Sequence, residues 1–450
     1  MRTTWAAILL VHAPVAMSFA VPGWFEKNHI PGKQAADAMQ QMKALQNATI
    51  TRIEAELGMP KGAWQSLQPS GGCTALLSGL DVLDIGPAAW GTARATWRAA
   101  WHGKEVAVKK PLPCESRKGE NDGRPCNHPL DNKVIFTGSA MREAYVLSDF
   151  FKHGKLRAHP YIMVNHGICL DWTLGPFAIA DGGLVGLAAF LPPPMRLVNQ
   201  TLSWSLPWCV VLHLAYEIAS VCAFFTEHDL LHCDWGAHQM AVDAEGHFKL
   251  VDVKSVRRMF TNECRNDRDC DSWPRHKSGA VDRQVSHPCL LEDSGSMASP
   301  EFMPASNLRL LTSCNRTTHQ CPPIDTSAMV WITSTQIFAP LFHTIPQVLP
   351  AFRAAQTLLR RMGYTTAPAS QRNFERKDWF RVVAFLNSTM RSLDAGRCLQ
   401  DTRVEVVTLI NRTRSLRAAA HAADRPKGYR APQAFGAIDA PFSSYRVSAP

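Results

Sequence analysis

The residues with the most chemistry in them lie in the stretch LLHCDWGAHQMAVDAEGHFKLVDVKS, which begins at Leu230. Met240–Val242 and Phe248–Val251 read as two short strands, and the polar turn Asp243–His247 between them contains Gly246. A hairpin brings its two ends together, so Asp234 before it and Asp252 after it should face one spot. Leu80–Pro111 is the second informative stretch. There, Val82–Ile85 reads as a strand and is followed by a turn bounded by Gly86 and Gly91. Ala93, Ala95, Trp97, Ala99 and Trp101 then alternate with polar or small neighbours, as a half-buried strand requires. His102-Gly103 marks a tight turn, and Glu105–Lys110 forms a third strand that carries Lys109.

Together these stretches resemble the protein-kinase family. Its pattern H-R-D-x-x-x-x-N followed by D-F-G is met by His232-Cys233-Asp234, by Gln239 for the Asn, and by Asp252-Val253-Lys254. The glycine-rich turn of the family is met by Gly86, Ala88 and Gly91, and its V-A-I-K strand by Val106–Lys109. The resemblance implies ATP with Mg or Mn as cofactors. It makes Asp234 the residue that orients or deprotonates an acceptor hydroxyl, and puts Asp252 and Gln239 on the metal. It assigns Lys109 to the α/β-phosphates with Glu143 as its partner, and sets Gly86, Ala88, Gly91, Ala93 and Lys254 around the nucleotide.

Four positions depart from the family pattern. Ala88 permits the turn but loosens the approach of backbone N–H groups to phosphate. Gly236 removes the Lys that most kinases carry two residues after the catalytic Asp. Gln239 keeps an amide oxygen on a longer arm. Lys254 replaces a Gly, and its ammonium is expected to supply the charge lost at position 236.

The fold class implied is α+β, a bilobal protein-kinase-like fold with a small antiparallel β N-lobe and a mainly helical C-lobe. The expected divisions are a signal peptide or signal anchor over 1–20, a helical extension over 21–75, and the N-lobe over 76–192. The C-lobe follows over 193–415, with a cysteine-bearing insert at 260–322, and a disordered tail over 416–450. Within this frame an amphipathic helix is expected near Gln34–Leu57, and a helix over Ser139–His153 with Glu143, Leu147 and Phe150 on one face. His159–Ile162 and His166–Asp171 resemble the entry to a fourth strand and the strand itself. Gly183–Leu191 reads as an apolar strand that ends in the hinge prolines Pro192-Pro193-Pro194. Val211, Ala215, Ile218, Cys222 and Phe225 mark a buried helix, with Cys222 as core filler. Asp325–Met362 and Asp378–Ser392 read as further helices, and Asp325 as the counterpart of the family's helix-anchoring Asp.

The compartment is read from the N-terminus, the cysteines and the sequons. Met1–Ala20 places one Arg before a short apolar run and ends in small residues, which is the pattern of a secretory signal; an uncleaved anchor is the other reading. Thirteen cysteines and sequons at Asn47, Asn199, Asn315, Asn387 and Asn411 agree with an oxidising lumen of the endoplasmic reticulum or Golgi, or with secretion. Cys114 and Cys126 bracket a polar loop. Cys264, Cys270 and Cys289 resemble the cysteine segment of the divergent secretory-pathway kinase-like proteins, with zinc as the competing reading. Ser299-Pro300-Glu301 stands where A-P-E would be. The net charge of +10 is scattered, with no basic run interleaved with aromatics, so no nucleic-acid partner is expected. Membrane contact is expected only if the signal segment stays uncleaved. The resulting expectation is an ATP-dependent phosphotransferase that acts on a hydroxyl of a lumenal protein or its glycan. The other reading is a pseudokinase that serves as a binding or scaffolding module.

Overall fold

The computed structural model describes residues 32–68, 70–83, 89–90, 94–111, 131–191, 206–232, 235–258, 260–263, 320–324, 326–363 and 374–423. The expectations for the signal segment, Gly86, Ala88, Gly91, Ala93, Cys114, Cys126, the hinge prolines, Asp234, the cysteines at 264, 270 and 289, Ser299–Glu301 and Asp325 lie outside the described residues. The architecture is α+β. Helix α1 spans Gly32–Leu57 and a short α2 spans Gly72–Leu77. Strands β1 (Leu80–Val82), β2 (Ala89–Trp90), β3 (Arg94–Trp101) and β4 (Lys104–Pro111) follow. After helix α3 (Asp131–Val146) come β5 (Asn165–Cys169) and β6 (Phe177–Asp181). These six strands form one antiparallel sheet in the order β1-β3-β4-β6-β5, with β2 also paired to β3.

The β3–β4 hairpin shows why the sheet turns where it does. His102 (φ 49°) and Gly103 (φ 77°) both take left-handed conformations, which a two-residue turn needs to match the twist of its strands. The register pairs Trp97 with Val108 and Thr96 with Lys109, so the two faces separate cleanly. On one face Ala99, Val106 and Val108 pack with Phe177, Ile179 and Leu76 of α2. A disulfide from Cys73 to Cys169 closes that side. The opposite face carries Lys109 and lies under α3. Phe136, Ala140 and Met141 of α3 in turn pack against Ile50 and Ile53 of α1.

Helix α3 begins earlier than Ser139 and stops earlier than His153. Gly138 sits inside it, facing Ile53 of α1, and does not interrupt the helix. The Ser148 hydroxyl then donates to the Tyr145 carbonyl at 2.6 Å, just past the last turn. Phe150 therefore lies beyond the helix and is exposed, away from the face shared by Glu143 and Leu147. The expected strand over Gly183–Leu191 is also corrected. Its place in the sheet belongs to β6, and Val185–Gly186 (β7) pairs elsewhere before a 3-10 turn at Leu187–Ala189.

The remaining chain is mainly helical. Helix α4 (Trp208–Glu227) runs through the main core, with Val211, Ala215, Ile218, Cys222 and Phe225 all fully buried. It is long and apolar enough to cross a membrane, yet most of it is covered by protein. Cys222 carries no disulfide, and burial pushes its thiol well above the usual range. Strand β8 (Leu230–His232) pairs antiparallel with β11 (Val256–Arg258). Between them lies the hairpin of β9 (Met240–Val242) and β10 (Phe248–Leu250), with β7 on the outer side of β9. The two ends of the cysteine-bearing insert come together, since β12 (Phe260–Glu263) pairs with β13 (Gln320–Ile324).

A composite helix α5 covers Val330–His343, followed by α6 (Pro350–Arg361), α7 (Asp378–Ser392) and α8 (Ala395–Ala423). Helix α8 runs past residue 416, where the sequence reading starts a tail. Val406 and Ile410 bury one side of it in the main core, and Cys398 anchors its start to Cys209 of α4. Arg414 further along α8 pairs with Glu105 of β4, which ties the helical part back to the sheet.

Candidate active site

Alternation along β4 turns Val106 and Val108 into the apolar side of the sheet and leaves Lys109 facing α3. Its Nζ donates to Glu143 Oε1 at 2.8 Å and Oε2 at 3.1 Å, and to the Val251 carbonyl at 3.3 Å. Both partners are almost fully buried, at 7% and 1% exposure. Burial pushes the Lys109 ammonium below its usual range, while the Glu143 charge pulls the other way. A buried charge persists only when paired, and this pair joins a strand, a helix and the chain beyond the hairpin at one point.

The hairpin delivers Asp252 to the same point. Leu250, at its open end, is held by two backbone bonds, from its N–H to Tyr161 O at 2.9 Å and from Met163 N–H to its carbonyl at 3.0 Å. The Val251 N–H donates to Gln239 O at 2.9 Å, which sets the two arms of the hairpin side by side. His232 Nε2 lies 2.6 Å from the Asp252 carbonyl. A carbonyl only accepts, so Nε2 carries the proton. The His232-to-Asp252 bond thus fixes the residue two positions before the expected catalytic Asp against the expected metal Asp.

Arg94, which the sequence reading did not select, completes the cluster. Its Nη2 donates to Asp252 Oδ2 at 2.5 Å, while Nη1 donates to Ser139 Oγ at 3.2 Å and lies 3.6 Å from Glu143 Oε2. Lys254 Nζ approaches the same Asp252 oxygen at 3.2 Å, and its backbone N–H donates to Oδ1 at 3.2 Å. Burial alone would raise the Asp252 carboxyl, but Arg94, then Lys254 and Lys109, outweigh it and hold the group well below the usual carboxylate range. Asp252 is therefore an ionised, nearly buried carboxylate. Register makes Arg94 legible in retrospect. Arg94 pairs with Pro111 and Thr96 with Lys109, so Arg94 shares the sheet face of Lys109.

The structure thus brings Lys109, Glu143, Asp252 and Lys254 together and sets buried Gln239 beside them through Val251. Asp234 lies outside the described residues, and the chain is anchored on either side of that gap. His232 is bonded to Asp252, and Trp235 Nε1 donates to Thr333 Oγ1 at 2.9 Å. Three cations (Arg94, Lys109 and Lys254) meet two carboxylates (Glu143 and Asp252) here among the described residues. Such a cluster can bind an anion through its excess positive charge, and a hard divalent ion through Asp252 once Arg94 is displaced. Neither protein-family models nor the curated proteins searched match this chain.

Proposed function

We propose that the chain is an ATP-dependent phosphotransferase of the secretory pathway, with a bilobal protein-kinase-like fold, acting on a hydroxyl of a lumenal protein or its glycan. One observation carries this reading. Lys109 and Asp252, far apart in sequence, meet in one buried cluster with Glu143 between the sheet and the hairpin. The excess of cations there suits a triphosphate. In this reading Lys109, held by Glu143, takes the α/β-phosphates, and the turn carrying Gly86, Ala88, Gly91 and Ala93 covers them. Asp252 and the Gln239 amide hold Mg or Mn, whose chemistry is to neutralise charge building on the phosphates. Asp234 orients the acceptor hydroxyl. Lys254 has its ammonium beside Asp252, which fits the task left open by Gly236.

A second reading, a nucleotide-binding pseudokinase, is favoured by Arg94. Its guanidinium and the Lys254 ammonium share the Asp252 oxygen that a metal would use. The deciding experiment is thermal stabilisation of the glycosylated protein by Mg-ATP or Mn-ATP, beside Asp252→Ala, followed by transfer of labelled γ-phosphate with Asp234→Ala as control. Phosphotransfer that needs both acids supports the enzyme. Stabilisation without transfer supports the pseudokinase. No nucleotide effect under any metal overturns both.

A further inference from the structure

The turn of the same hairpin, at the end opposite Asp252, holds a second convergence of donors. Glu217 of α4 is fully buried, and its Oε1 lies 2.9 Å from His213 Nε2, one helical turn earlier. His247, from the hairpin turn, brings Nδ1 to 2.8 Å from the same oxygen, and the two ring nitrogens are 3.3 Å apart. The other oxygen, Oε2, accepts the Phe248 N–H at 2.7 Å. We propose that His213, Glu217 and His247 form a zinc site with a fourth position open to solvent. The site stands independently of the nucleotide reading.

Donor type and spacing carry the inference. Two imidazole nitrogens and one carboxylate oxygen are a set zinc takes in three-ligand sites that keep a water position. His213 and Glu217 stand at i and i+4, on one face of α4. With zinc bonds of 2.0–2.1 Å, a tetrahedral site has ligand-to-ligand edges of about 3.3 Å. The three edges here, at 2.8, 2.9 and 3.3 Å, need to open by at most about half an ångström. Protons can link these atoms only pairwise, whereas one cation takes a lone pair from all three. His213 and His247 both reach solvent, His247 over half its surface, which provides an entry path and room for water.

The ligands are also held in place before any ion arrives. Asp243 Oδ1 accepts the N–H groups of His247 at 2.8 Å and Glu245 at 3.1 Å, and the Asp243 N–H donates back to the His247 carbonyl at 2.9 Å. Gly246 takes a left-handed conformation (φ +92°), and a Cβ there would meet Val406 of α8 at 3.0 Å. The turn is therefore pinned from inside and from above. The Phe248 N–H orients the carboxylate as a supporting contact around a metal ligand does.

The test is calorimetric titration of the full glycosylated chain with zinc chloride, with X-ray absorption at the zinc edge on the loaded protein. The expected result is one zinc per chain, in a shell of nitrogen and oxygen with two imidazoles. The double variant His213→Gln, His247→Gln keeps N–H donors for Glu217 and should bind zinc at least thirtyfold more weakly. Unchanged nucleotide-induced stabilisation in that variant separates this site from the proposed active site. Wild-type affinity weaker than about 100 µM, equal affinity in the variant, or sulfur in the zinc shell overturns the proposal. Should the variant fail to fold, the wild-type coordination shell still decides, because a cysteine-held ion would show sulfur.

Discussion

Two buried glutamates sit near opposite ends of one hairpin, and their neighbours make them different groups. Glu143 is paired with Lys109 at 2.8 Å and approached by Arg94 at 3.6 Å; burial lowers the Lys109 ammonium and the Glu143 charge opposes that shift. Glu217 is paired with two histidines, whose imidazole nitrogens lie 2.9 and 2.8 Å from its Oε1. Burial alone would raise the Glu217 carboxyl, but the hydrogen bonds with His213 and His247 outweigh it and bring it below the usual range. The reciprocal bond to Glu217 raises His247. The comparison teaches that the partner's chemistry, more than burial, decides what a buried carboxylate can do. A carboxylate paired with lysine and arginine fixes architecture and leaves charge for an anion, whereas one paired with two imidazoles offers a donor set for a metal.

The largest expected effect tests the fixed pair. Glu143→Ala removes the carboxylate that pairs the buried Lys109 ammonium and leaves it beside Arg94, and should cost about 3–5 kcal/mol in chemical denaturation. Glu217→Ala removes hydrogen bonds from two imidazoles that reach solvent, and should cost about 1–3 kcal/mol. Equal losses would break the contrast. Arg94→Met should lower stability by about 2 kcal/mol, since Asp252 keeps only Lys254 and Lys109. It should also tighten Mg-ATP binding by calorimetry, because the carboxylate loses its internal competitor. Unchanged or weaker binding would make Arg94 part of the nucleotide site. The smallest effect concerns the turn. Gly246→Ala forces a left-handed residue against Val406 and should cost about 1–2 kcal/mol in thermal unfolding. It should also disturb zinc uptake while leaving nucleotide-induced stabilisation intact.

Much of the scaffold was legible because period and turn chemistry are local. Alternation across Ala95, Trp97 and Ala99 reported β3, the 4-3-4-3 spacing from Val211 to Phe225 reported α4, and His102-Gly103 reported the turn. The misses have physical reasons. Ser139 after Gly138 looks like a helix start, yet α3 begins at Asp131, and its Phe136 packs against Ile50 and Ile53 of α1, far off in sequence. Ala, Pro, Ser and Arg dominate after residue 416 without clear period, yet α8 continues to Ala423 because its earlier turns are clamped by the disulfide at Cys398 and by buried Ile410. The pairs Cys73–Cys169 and Cys209–Cys398 lay beyond sequence spacing altogether, since pairing depends on which cysteines the fold brings near.

Glu143 as the partner of the lysine came from the resemblance to the protein-kinase family, whereas the amino-acid sequence alone determined the strand carrying Lys109 and the hairpin carrying Asp252. Those are statements about local period, turn residues and order along the chain. Only the tertiary structure decided that Arg94 would reach Asp252, and that His247 would land one hydrogen bond from a glutamate buried in α4. Such meetings join residues from separate elements across distances no local pattern encodes. They are set by how sheet, hairpin and helix pack, and by the need of each buried charge for a partner.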